Sequence, residues 1–110
     1  MKLEELPKST DAVRKFSNGN MLLTLWFDGS HCKSMEVVFD MLSGESVLFC
    51  SGRSKHYYHT QNEVRYGYDL SDVAANFKIL PQEKIQILKR SIRHLNAKIK
   101  ELVLNYLKLI

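Results

Sequence analysis

At 110 residues, with 45% apolar and 10% aromatic side chains, the chain can build one domain with a real core but not a cleft between two lobes. This composition excludes a disordered or fibrous chain. No run approaches the roughly twenty apolar residues of a membrane span, and two cysteines are too few for a disulfide scaffold. The net charge is +4, and from Gln82 onward seven cations stand against two acids, so the whole surplus belongs to the C-terminal segment.

The start of the chain, Met1 to Lys8, carries acids and a proline where a secretory signal would be apolar, which predicts a cytoplasmic protein. Reduced thiols at Cys32 and Cys50 fit that compartment. Residues 1–10 show no hydrophobic period and are expected to be a flexible lead-in, with residues 11–110 forming a single domain.

Asp11 to Phe16 is a candidate strand, and the Asn18-Gly19 that follows readily takes the positive φ angles of a hairpin turn. Met21 to Phe27 is apolar on both faces, so it belongs inside a sheet. Asp28-Gly29 supplies a second turn, and His31 to Phe39 runs back with Met35, Val37 and Phe39 on alternate positions. Ser46 to Cys50, Lys55 to Thr60 and Glu63 to Tyr68 follow between further turn signals. The spacing predicts an antiparallel meander of six strands. Leu70 to Leu80 either forms a short helical turn or crosses the sheet.

From Pro81 the pattern changes. Ile85, Leu88, Ile92, Leu95, Ile99, Leu102, Tyr106 and Leu109 are spaced alternately by three and four, a heptad seam that is continuous only on a helix. The fold class expected is therefore α+β: a six-stranded antiparallel sheet followed by one long C-terminal amphipathic helix. Ile85 to Leu109 would extend about 38 Å as one helix. The positions flanking the seam hold no acid that could pair across a dimer with Lys89 or Lys98, which splits the helix into two roles. Ile85 to Leu95 is expected to pack on the sheet. Beyond it the helix is expected to protrude, with Ile99, Leu102, Tyr106 and Leu109 as a homodimer seam. Lys89, Arg90, Arg93 and Lys100, together with the apolar Val103 and Leu107, would bind a partner of opposite charge.

The order of these elements is that of the polo box, the small sheet-plus-helix module of the polo-like kinases, and several stretches resemble it. Ser17-Asn18-Gly19, the apolar strand and Trp26-Phe27-Asp28-Gly29-Ser30 are similar to its opening hairpin. Val64-Arg65-Tyr66-Gly67, Leu80-Pro81 and the isoleucine- and leucine-rich segment after them resemble the C-terminal polo box of the Sak-type, centriole-duplicating kinases. The likeness covers most of Asp11 to Leu95. It departs from the family between Asp40 and Tyr57, which is longer than the usual hairpins, and at Leu70 to Ile79, which looks inserted. The resemblance implies a non-catalytic binding and dimerisation module of a serine/threonine kinase, acting at the centriole and docking a coiled-coil or acidic helical segment of a scaffold protein.

No kinase catalytic element is present in the chain itself, and no cofactor is expected. By the resemblance His31 and Lys33 are the candidates for holding a phosphopeptide, because two residues at that spacing on a strand share a face. The pair lies slightly further past Phe27 than the family's pattern places it. No metal site is expected from Cys32, Cys50, His56 and His59, since histidines three apart on a strand point to opposite faces. The competing reading is a small homodimeric nucleic-acid-binding protein using the basic C-terminal helix. Separately, Tyr57, Tyr58, Tyr66 and Tyr68 with Lys55 and Arg65 could stack single-stranded nucleic acid on a sheet face, although an aromatic strand is more often core or interface.

Overall fold

A computed structural model describes residues 2–50, 56–59 and 80–108. Strands β1 (Glu4–Glu5), β2 (Val13–Ser17), β3 (Leu22–Asp28), β4 (His31–Asp40), β5 (Glu45–Cys50) and β6 (His56–His59) form one antiparallel sheet in chain order. Helices α1 (Gln82–Ser91) and α2 (Ala97–Leu107) follow. The architecture is α+β, as the alternation of the strands and the later helical period predict.

Strands β2 to β6 correspond to the first five strands read from the sequence. The sixth expected strand, Glu63 to Tyr68, lies outside the described residues, as do Tyr57 and Tyr58 as side chains and the segment 60–79. Within the meander the turns form where expected. Gly19 and Gly29 adopt φ angles of 93° and 62°, left-handed values that a side chain would resist. Asn18 adds its own side chain to the first turn, accepting from the backbone N–H of Met21 at 2.8 Å. Within the long Asp40 to Tyr57 stretch, a four-residue turn, 41–44, leads into β5, and Val47 pairs with Tyr58 and Phe49 with His56 across β5 and β6.

One face of the sheet carries the core. Cross-strand rows such as Phe16, Leu23, Val37 and Val47, or Leu25, Met35 and Phe49, are buried there beneath the helices. A β-bulge at Lys33 preserves this arrangement at the start of β4. Trp26 pairs with Ser34 and Phe27 with Cys32, so the extra residue lets Cys32 and Met35, three apart, both reach the buried face.

Of the residues read as a lead-in, Glu4 and Glu5 pair with Ser17 and Phe16, and Leu3 is fully buried. The Leu3 N–H donates to the Ser91 carbonyl at 3.2 Å, and His94 Nε2–H donates to the Leu3 carbonyl. Arg14 closes the same edge with a bidentate ion pair to Glu5, both contacts at 2.9 Å.

The helical segment requires a correction. In place of one long helix there are two, separated by residues 92–96. Helix α1 ends at Ser91 with Ile92 as its C-cap, and Asn96 restarts the next helix (φ −47°, ψ 138°), its side chain accepting from the Lys98 N–H at 2.8 Å. That is the geometry of an N-cap. A straight helix of about 38 Å would exceed the molecule's longest extent, 35 Å. The break instead lays both halves on the core. Burying Ile99, Val103, Tyr106 and Leu107 stabilises the fold by roughly 6 to 12 kcal/mol. The few helical hydrogen bonds lost at the break are worth about 1 kcal/mol each, and capping recovers part of that.

Candidate functional site

The chemistry that the helices leave outside follows from how they are anchored. Helix α1 starts at Pro81, whose carbonyl accepts from Lys84 N–H at 3.0 Å, a position where the ring forfeits no helical donor. Lys84 then ties the first turn to the β4–β5 hairpin: its Nζ lies 2.8 Å from Glu45 Oε1 and 5.7 Å from the centre of the Phe39 ring. Helix α2 is fixed at its far end by Tyr106, whose hydroxyl donates to the Cys32 carbonyl at 3.0 Å and whose ring centroid stands 5.8 Å from that of Phe49. The same burial pushes the Cys32 thiol up from its ordinary value, only partly opposed by hydrogen bonds to Tyr106 and Ser34. Cys32 is buried, 6% exposed, beneath α2.

With the apolar seam turned inward, the expected partner-binding residues separate into two groups. Lys89 and Arg90 in the last turn of α1 and Arg93 in the break are exposed, and Lys100 on α2 is half-buried. Among the described residues, none of these four takes part in an ion pair. Val103 and Leu107, expected beside them on the surface, are 0% and 7% exposed and lie in the chain's own core. Of the expected dimer seam, Ile99 and Tyr106 are 2% and 7% exposed and likewise interior. Leu102 is half-buried, and Leu109 lies outside the described residues. The apolar half of the expected interface is thus spent on the fold, while its cationic half remains available.

His31 and Lys33 are both exposed at the start of β4. Lys33 is the bulged residue, so the two flank a buried Cys32 without a regular strand between them. Among the described residues, no group of three or more His, Cys, Asp and Glu side chains is placed to hold a metal ion. Nor is any helix among them long and apolar enough to cross a membrane.

Two features escaped the sequence reading. Between α1 and α2 runs an open groove of about 350 Å³, lined by Gln82, Ile85, Lys89, Leu104, Leu107 and Lys108. At the β4–β5 turn Leu42 is 96% exposed and Met41 43%. The groove had no sequence signal, because it exists only once the helix breaks. The turn had one, an apolar pair between Asp40 and Ser43-Gly44.

No family model, curated protein or solved structure matches the chain.

Proposed function

We propose that the chain is a non-catalytic protein-binding module of polo-box type that docks an acidic helical segment. By the resemblance, that segment belongs to a coiled-coil scaffold protein of the centriole, and the parent chain is a serine/threonine kinase of centriole duplication. The observation that supports this reading most is the set of exposed cations Lys89, Arg90 and Arg93, free of ion pairs among the described residues and held on helices pinned to the sheet. Such a surface attracts and orients a partner of opposite charge. The antiparallel sheet followed by helices that cover one face is compatible with the polo-box order of elements.

Lys89, Arg90, Arg93 and Lys100 supply the electrostatic contact, and Leu102, half-buried on α2, is the seam residue that still offers apolar surface. Each exposed ion pair contributes about 0.5 kcal/mol, so reversing three cations costs roughly tenfold in affinity. The test is anisotropy of a labelled acidic amphipathic helical peptide, titrated with the wild-type protein and with K89E/R90E/R93E. Tenfold weaker binding by the variant supports the proposal. Equal binding by both, or retention on duplex DNA with a steep fall in affinity as salt rises, rejects it, the latter in favour of a nucleic-acid-binding protein.

A further inference from the structure

The β4–β5 turn presents its apolar residues in an ordered way. Asp40 Oδ1 accepts from the Leu42 N–H at 2.9 Å, and the Asp40 carbonyl accepts from the Gly44 N–H at 2.8 Å. The neighbouring hairpin joins in, since Met41 N–H donates to the Asn20 carbonyl at 3.0 Å. Gly44 closes the turn at φ 76°. A leucine held this way loses little conformational freedom when it is buried by another surface, which favours association.

The same chain carries a cavity of matching character. The groove between the helices has Ile85, Leu104 and Leu107 as apolar lining, and Lys89 and Lys108, both exposed, among the residues around them. Neither lysine forms an ion pair among the described residues. The turn bearing Leu42 contributes Asp40, so apolar meets apolar and the charges are opposite. We propose that Leu42 of one molecule seats in the α1–α2 groove of a second copy, with Asp40 facing Lys89 and Lys108. The two surfaces are different patches of one chain, so the contact is heterologous and each molecule offers one knob and one groove. One leucine and its rim make a small contact, and the assembly forms at high protein concentration. This contact is independent of the partner reading above, although Lys89 serves both.

Complementation tests it. Leu42→Lys removes the knob and leaves the groove, whereas K89E/K108E reverses the groove's charge and leaves the knob; all three positions are exposed, so both variants keep the core intact. By sedimentation velocity the wild-type protein is expected to gain mass as its concentration rises, and each variant alone to remain at the monomer mass. An equimolar mixture of the two variants should give a 1:1 dimer, because the Leu42 knob of K89E/K108E meets the intact groove of L42K, and L42K mixed with wild type should be capped at short oligomers, because a knobless molecule accepts one neighbour and donates to none. A wild-type protein that stays monomeric throughout, an L42K variant that assembles as well as wild type, or mixtures whose mass L42K does not cap would overturn the proposal. L42K leaves Arg90 and Arg93 untouched, so its effect on assembly is separable from peptide binding.

Discussion

Asn96 restarts the helical segment after the break. Its carboxamide accepts from the Lys98 N–H at the start of α2, one of the donors that a helix cannot satisfy internally. Asn96→Ala is expected to cost about 1 kcal/mol, read from the urea midpoint. Tyr106 works at the opposite end of α2. Tyr106→Phe removes the donor to the Cys32 carbonyl and leaves that acceptor buried, for an expected loss of about 1 to 3 kcal/mol by the same measurement. Glu5 gives the fold a modest pH dependence. The hydrogen bonds from Arg14 hold its carboxyl below the ordinary value of 4.5, so its contribution is complete above that value and disappears as the pH falls through the lowered one. The two side chains are 33% and 38% exposed, so solvent screens the pair, and Glu5→Gln should lower stability at neutral pH by no more than about 1 kcal/mol and flatten the acid limb of the stability curve.

At the level of elements, the strands were legible because each rests on local information. Alternating apolar residues fix a face, and Asn18-Gly19 and Asp28-Gly29 fix the turns. The helix break was not, and the reason is physical. Two helices lying on one core need the same three-and-four spacing as a single helix on that core, so a seam without a miss cannot distinguish them. Ile85, Leu88, Ile92, Ile99 and Tyr106 are all buried, on both sides of the break. Asn96 was the available signal, a strong N-cap residue in the middle of the segment. Leu3 was illegible for a different reason, as one apolar residue in a polar stretch has no period. The cations of the candidate site were legible, since a charged side chain seldom enters a core, whereas the fate of Val103 and Leu107 depended on the break. That difference is measurable. Val103→Asp places a carboxylate in the core and should destabilise the fold by at least about 3 kcal/mol. A surface role for Val103 would leave the urea midpoint within about 0.5 kcal/mol of wild type.

For the whole molecule, the division of labour is between an antiparallel sheet that sets the frame, two helices that fill its buried face, and the cations those helices leave in water. The fold spends its apolar seam internally, which shifts the expected working surface from a protruding coiled coil to a cationic face of a closed domain. Binding through that face should therefore leave the core undisturbed and depend on salt only as strongly as a few exposed ion pairs allow. Backbone NMR during titration with an acidic amphipathic helical peptide tests this claim most directly. The amides of Lys89, Arg90, Arg93 and Lys100 are expected to shift and saturate together while those of Leu23 and Val37 in the central strands stay in place. Shifts confined to the sheet, or none at these four residues at saturating peptide, would contradict it.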